Sequence, residues 1–292
     1  MNGVSEATDV FVAHRNLLFT VAYEMLGSAA DAEDVLQETW LRWAEAERSD
    51  VRDPRAYLVR ITTRLALNKM RAAARRRESY VGPWLPEPLL TSPDVAEDVE
   101  LADSVSMAML LVLESLNPTE RAVFVLREVF EFGYDEIAAA VDKTPAAVRQ
   151  IAHRARAHVD ERRPHRDATR SQHEEVVARF LEATVTGDVQ TLLDVLAPDV
   201  VLISDGGGVK QAALRPILGR DKVTRWLAAV RPEGMQADIV EINGTPAVRV
   251  LLDGELDSAG TLLVEDGRVT GIYWVRNPQK LARLDAVVSL TR

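Results

Sequence analysis

The sequence predicts a multidomain chain: two all-α units, the second built on a helix-turn-helix, followed by an α+β domain. Three observations carry that prediction. Between residues 9 and 160 apolar side chains recur at helical spacing, and SYVGPWLPEPLLTSPDVAEDVE at 79–100, with its four prolines, divides the stretch in two. YDEIAAAVDKTPAAVRQIAHRAR at 134–156 sets two short amphipathic periods on either side of Asp142-Lys143. Beyond Arg166 the pattern changes to helical runs at about 173–186 and 188–196, then VVLIS, a helix near Asp221 to Val230, and the strand-like runs ADIVEI, AVRVLL, TLLVED and RVTGIYWV. Gly244, Gly254 and Gly267 punctuate those runs as turns, which describes an antiparallel meander after helices.

The first unit, residues 6–78, reads as three helices. Phe11, Leu18, Val21 and Leu26 give the first an apolar side, which Gly27-Ser28 ends. Ser28 or Asp31 opens an acidic helix in which Val35, Leu36, Thr39, Trp40 and Trp43 face inward, leaving Asp34, Gln37, Glu38 and Arg42 outside. A plain solvated face accounts for that pattern as well as a docking face does. Asp53-Pro54 starts RAYLVRITTRLALNKMRAAARRR, long enough for about five or six turns. Tyr57, Leu58, Ile61, Leu65 and Met70 supply packing; Arg55, Arg60, Arg64, Asn68, Arg71 and Arg75 form a polar rim. With Tyr57, Thr62, Thr63 and Asn68 interleaved, this helix suits a nucleic-acid strand whose bases are exposed, because hydroxyls and amides bond base edges while arginines hold the backbone. A basic, solvated helix end is the simpler alternative.

The linker, 79–104, starts with Tyr80 and Trp84, aromatics that suggest docking, and turns acidic. The second helical unit spans 105–163. Asn117-Pro118 breaks its first period, and Thr119 to Phe130 leads into the helix-turn-helix. Thr144 is placed to cap the last helix and Pro145 suits its first position. Val148, Ile151, Ala152, Ala155 and Val159 would be buried, which turns Ala146, Arg149, Gln150, His153, Arg154 and Arg156 outward. Small residues at the start of such a helix allow entry into a major groove, Arg and Gln read base edges, and later arginines reach phosphates. An αα-hairpin in an ordinary helical core is the competing reading.

Net charge is −10, unfavourable for a chain that binds DNA unaided. The charge is segregated, however: Arg55 to Arg77 holds eight Lys/Arg and no Asp/Glu, and Glu78 to Glu120 nine Asp/Glu and no Lys/Arg. Such a protein needs a partner to hold its basic faces on the duplex. Cysteine is absent, which removes disulfides, thiolate nucleophiles and Cys-ligated zinc, and the five His form no ligand cluster, so no metal or cofactor is expected. No apolar run reaches membrane-span length and the first residues do not resemble a signal peptide, so a cytoplasmic protein without membrane contacts is expected.

The acidic helix, basic strand-reading helix, acidic linker and helix-turn-helix, in that order, resemble a sigma-70 family initiation factor of the extracytoplasmic-function (ECF) type, which keeps only regions 2 and 4. The resemblance implies that Asp34, Gln37, Glu38 and Arg42 dock on the β′ coiled coil of core RNA polymerase. It implies that Tyr57, Arg60, Thr63, Arg64, Asn68, Arg71 and Arg75 melt and read the downstream promoter element. Thr144, Ala146, Arg149, Gln150, His153, Arg154 and Arg156 would read the upstream element, in a region that also touches the β flap. YVGPWLPEPL, SDGGG at Ser204 to Gly208 and NPQKL at Asn277 to Leu281 are similar to the SigJ-like subgroup, whose C-terminal SnoaL-like cone domain, here 171–290, regulates the factor in place of a separate anti-sigma protein. This chain departs slightly from that pattern, with Gln279 where Asp is commoner and Val209 before Lys210. The residues implied in that regulation are Trp84, Asp205, Gly206, Gly207, Gly208, Asn277, Pro278, Lys280 and Leu281, through intramolecular contact with the linker or with regions 2 and 4.

Two other functions fit the same blocks. A one-component regulator would bind a small apolar ligand in the C-terminal domain and an operator as a dimer. A tethered cyclase or isomerase would need a base and oxyanion donors in an apolar pocket, and the inventory is thin: His173 is the only His and Tyr273 the only Tyr in that domain, while Asp205 beside three glycines reads as a turn cap. No catalytic residue is assigned.

Overall fold

The computed structural model describes residues 2–47, 51–77, 79–164, 168–229 and 234–292, with side chains set aside at 2–5 and 73–77. The first unit is α1 (Asn2–Leu26), α2 (Ala29–Glu45) and α3 (Pro54–Arg77). Ser28 caps α2, its hydroxyl accepting the Asp31 N–H, and Gly27 leaves α1 with φ +64°. Trp43 is buried and donates its indole N–H to the Ala7 carbonyl at 2.9 Å, which ties α2 to the start of α1.

After an extended linker come α4 (Pro93–Glu97), α5 (Val99–Ser104), α6 (Met107–Glu114) and α7 (Pro118–Phe124). Asn117 begins α7 with a capping box to Glu120, and the helix runs on as a π-turn over Val125–Val129. The helix-turn-helix is α8 (Tyr134–Val141) and α9 (Pro145–Asp160), joined at Asp142, which takes a left-handed φ of 56°. Thr144 caps α9 through the Ala147 N–H at 3.2 Å, and Val148, Ala152, Ala155 and Val159 form its buried face.

The two helical units do not keep separate cores. One continuous apolar cluster runs from Leu18, Val21 and Met25 of α1 through Leu58 and Ala66 of α3 to Ile137 of α8 and Val148 of α9. Inside it lies Arg121, only 1% exposed, whose Nε donates to the Glu24 carbonyl at 2.8 Å and whose Nη1 pairs with Glu114 at 2.5 Å.

The C-terminal domain starts with α10 (Arg170–Thr186) and α11 (Val189–Val195), continues through β1 (Leu196–Asp205), β2 (Ile217–Leu218) and α12 (Arg220–Ala229), and completes the sheet with β3 (Met235–Ile242), β4 (Thr245–Leu252), β5 (Glu255–Glu265) and β6 (Arg268–Val275). The strand order is β2-β1-β6-β5-β4-β3. The four runs read as a meander are antiparallel neighbours, but β1 lies parallel to β6, so the sheet is mixed. Alternation sorts its faces. Val248, Val250, Leu262 and Ile272 pack with Phe180 of α10 and Leu227 of α12. Ala247, Ala259 and Val275 pack on the other side with Leu281 of the short α13 (Pro278–Leu281), with Leu85 of the linker and with Met107 of α6.

Candidate nucleic-acid interface and its clamp

On α9, Ala146, Arg149, Gln150, His153, Arg154 and Arg156 are all exposed, on the face opposite the buried one. Arg156 grips Glu128 with a 2.6 Å pair, and the Arg149 guanidinium lies 5.5 Å from the Tyr134 ring. The rest of the face is exposed.

The basic face of α3 is only partly open. Arg64, Asn68 and Arg71 are exposed and Tyr57 and Arg60 half-buried, but the Arg64 guanidinium donates to the Ala139 carbonyl of α8 at 2.8 Å. Arg55 stacks 4.4 Å from the Phe132 ring. Thr63 does not face out: it and Thr62 are fully buried, and Thr62 lies 3.2 Å from the Thr39 hydroxyl. The reason is that α3 is packed on two sides, by α1 and α2 and by α7 and α8, so the Val59–Thr63–Ala66 ridge that periodicity leaves open is covered. The Arg75 side chain lies outside the described residues.

On α2, Gln37 is exposed, Glu38 and Arg42 pair with each other at 2.9 Å, and Asp34 holds Lys69 of α3 at 2.6 Å. That is a surface network in which Gln37, Asp34 and Arg42 are exposed and Glu38 is half-buried.

The residues at the three-glycine loop and at α13 converge on the linker. Asp205, fully buried, accepts the Tyr80 hydroxyl at 2.6 Å, the Leu85 N–H at 2.8 Å, the Gly207 N–H at 3.0 Å and the Lys280 ammonium at 2.7 Å. It does cap its turn, but its main work is across 120 residues of chain. Lys280, 7% exposed, also donates to the Leu85 carbonyl and sits 4.1 Å over the Trp84 ring and 4.9 Å over Tyr80. Asn277 caps α13 and donates to the Tyr80 oxygen at 2.9 Å. Gly207 has φ +61°, and a Cβ there would collide with the Asn277 amide; one on Gly208 would lie 3.1 Å from Val81. Leu281 is buried, whereas Pro278 and Gln279 are exposed. Trp84 in turn covers Gly27, where a Cβ would stand 3.0 Å from its ring, so the linker bridges the C-terminal domain to the α1–α2 turn.

Comparison with known proteins accounts for this arrangement. The sigma-70 region 2 family matches residues 10–76 and the sigma-70 region 4 family residues 106–159. The ECF RNA polymerase sigma factor SigJ of Mycobacterium tuberculosis is 37% identical over 286 residues, covering 92% of this chain and 91% of that protein. This chain belongs to the ECF sigma-70 family. The probable ECF sigma factor SigI of the same species is 34% identical, with 94% of each chain covered. The crystal structure of M. tuberculosis SigJ superposes with a TM-score of 0.76 at 34% identity, covering 94% of this chain and 98% of that one. The chain is therefore a sigma factor that directs RNA polymerase to promoters, with a SnoaL-like domain attached.

Sequence reasoning missed several contacts of this sigma factor. Glu87 in the linker accepts the Ala29 N–H at 2.7 Å and the Ser28 hydroxyl at 2.7 Å, adding a charge to the α2 N-terminus. Asn243, at the tip between β3 and β4, is fully buried: it accepts the Leu89 N–H at 2.9 Å and donates at 2.7 Å to both the Tyr23 hydroxyl and the Val105 carbonyl. Leu290 is buried in the helical core, and Val288 bridges Thr91. An Asn-Gly pair signals the hairpin, but nothing local signals that its amide is inserted between three other segments. Among the described residues no His, Asp and Glu group that could hold a metal is found, and no helix is long and apolar enough to cross a membrane.

Proposed function

We propose that this sigma factor exists in a closed form, in which its own C-terminal domain holds the linker, and that core polymerase must open it before either basic face reads a promoter. The observation that supports this most directly is the buried Asp205 knot on Tyr80, Leu85 and Lys280. A second contact fits it: α8 rests on Arg64, so the strand-reading face of α3 and the upstream-reading unit cannot separate along DNA while that contact stands.

In this reading residues 6–78 act as region 2, 79–104 as linker, 105–163 as region 4 and 171–290 as the regulatory domain. Gln37 and Arg42, with Asp34 and Glu38, meet the β′ coiled coil once the Lys69 pair is given up. Tyr57, Arg60, Arg64, Asn68, Arg71 and Arg75 take the melted downstream element. The outward face of α9, from Thr144 to Arg156, takes the upstream element, beside the β flap. Thr63 acts by packing. The factor works in the cytoplasm with polymerase and carries out no chemistry of its own. Polymerase supplies the nonspecific DNA affinity that a net charge of −10 denies the free chain.

Run-off transcription with purified core enzyme tests the reading, comparing the full chain with versions ending near Arg166 and near Asn277. Removal of the knot should change initiation while core binding persists. Equal transcript yield from all three chains would end the regulatory reading, and no transcript from any of them would end the assignment of the reading faces.

A further inference from the structure

The interior of the C-terminal domain holds a groove on the face of the sheet opposite the one that Leu85 of the linker packs on. It is a narrow cleft between α10, α12 and the helix-covered face of the sheet, with Phe180, Trp226, Val250 and Trp274 as walls. Aromatic and aliphatic walls in a narrow cleft suit a slender apolar molecule. One end is different. Asp257 and Arg276 line it, their side chains 13% and 17% exposed, and Arg276 Nη2 meets the Asp257 carboxylate at 3.2 Å. Lys210 reaches the same carboxylate at 2.8 Å.

That cluster has two cations for one carboxylate. Burial alone would raise the Asp257 carboxyl, but the Lys210 hydrogen bond and the Arg276 charge leave it below its ordinary range, so Asp257 is a carboxylate shared between two basic side chains. Arg276 also keeps one donor in reserve. Its Nη1 donates to the Gln211 carbonyl at 2.8 Å and its Nη2 to Asp257, while its buried Nε–H has no acceptor among the described residues. A buried, unsatisfied guanidinium N–H next to a second basic side chain favours an acidic guest.

We propose that this groove binds a small apolar carboxylic acid, its hydrocarbon part between Trp226 and Phe180 and its carboxylate on Arg276. The site is wired to the linker. Lys210 and Gln211 close the loop that begins at Asp205, and the Arg276 and Asn277 N–H groups both donate to the Asp205 carbonyl, at 2.7 and 3.0 Å. A guest carboxylate competes with Asp257 for Arg276 and Lys210, which loosens the loop that holds Tyr80 and Leu85. This second half rests on the closed-form reading above; the binding half does not.

The test uses the full chain without polymerase, titrated by calorimetry with 4-phenylbutanoate, 4-phenylbutan-1-ol and 4-phenylbutylamine. The acid is expected to bind with a dissociation constant on the order of 0.1 mM, a reasonable value for a dozen non-hydrogen atoms, and about tenfold more tightly than the alcohol or amine. Arg276→Gln should reduce the acid to the level of the alcohol. Asp257→Asn should move the acid the other way, to tighter binding, and leave the alcohol unchanged, so two variants of opposite sign separate charge recognition from damage to the fold. Equal binding of all three probes, or no binding of any, overturns the site. In hydrogen exchange, 4-phenylbutanoate should speed exchange of the Leu85 N–H in the parent and not in Arg276→Gln. Binding of the acid with no change at Leu85 would keep the site and overturn its coupling to the linker.

Discussion

Asp205→Asn is the sharpest probe of the clamp because it changes charge without changing shape. The carboxylate receives only donors: Tyr80 and Gly207 on Oδ1, Leu85 and Lys280 on Oδ2. An amide at this position must direct its NH₂ at one of those two pairs: toward Leu85 and Lys280 it replaces two hydrogen bonds by donor–donor contacts, and toward Tyr80 and Gly207 it replaces one, because the Tyr80 hydroxyl can turn to accept. Lys280, 7% exposed, then loses the carboxylate it pairs with at 2.7 Å. Breaking one side of a buried ion pair costs about 3–5 kcal/mol. At 1.4 kcal/mol per factor of ten, that is roughly a hundred- to several-thousand-fold rise in the opening equilibrium of the segment the pair holds. The strain should be relieved locally, by release of Tyr80 to Leu85, because the Asp205 bonds to the linker end at Leu85 and Leu89 is held in the helical core. Hydrogen exchange reads it directly. The Leu85 N–H, bonded to Asp205, should lose protection while the Leu89 N–H, bonded to Asn243, and those of α9 and β5 keep theirs. Adding Lys280→Met should restore part of the loss, since the double variant buries no lone charge. Less than a tenfold increase in exchange at Leu85, with the fold intact, would refute the reasoning.

Other outcomes can be checked on the same material. Burial, partly offset by the Ser104 hydrogen bond and the Arg121 charge, pushes the Glu24 carboxyl up from 4.5 to about 8. Between those values the unfolded chain has released the proton that the folded chain keeps, so this group's stabilisation is complete below pH 4.5 and is lost as pH rises toward 8. Glu24→Gln should flatten that fall in denaturant midpoints, and an unchanged slope would show that Glu24 does not cause it. Gly207→Ala forces a left-handed φ and a collision with Asn277, and should release the linker by about 1–3 kcal/mol, read as faster exchange at Leu85. Leu290→Ala removes a side chain 2% exposed in the helical core and should lower stability by about 2–5 kcal/mol in urea unfolding; under 1 kcal/mol would mean that the C-terminal segment packs only loosely. Arg149→Ala should weaken promoter binding by the polymerase complex by about 1–3 kcal/mol and relax its preference at one base pair of the upstream element, without changing the affinity for core enzyme.

The elements with their own periodicity were legible. Val148, Ala152, Ala155 and Val159 placed α9 and its outward face, and Thr144 with Pro145 placed its start, because capping and amphipathicity are local. The runs that became β3 to β6 were readable for the same reason. The parallel pairing of β1 with β6 was not, since it joins residues about 70 positions apart without a turn to mark it. Thr63 was misplaced because periodicity tells how many faces a helix has but not how many neighbours it will have; α3 is buried on two sides. Asp205 was legible as a turn residue and as a linker contact, but not as the acceptor of four donors, two of them from the linker. Tyr80 and Trp84 in a proline-rich segment were a sound signal of docking, whereas Asn243 and Leu290 owe their roles wholly to what surrounds them.

The order in which the knot's parts leave the ribosome has a consequence. Residues 2–160 contain both proposed reading faces, yet Lys280 and Leu290, which in the closed form proposed above hold them shut, are made more than a hundred residues later. At a translation rate of about 5–20 residues per second, on the order of ten seconds pass between emergence of the second basic face and arrival of its lock. In the closed-form reading proposed above, each newborn molecule therefore passes once through an unlatched interval, in which a polymerase waiting nearby meets it without having to prise anything apart.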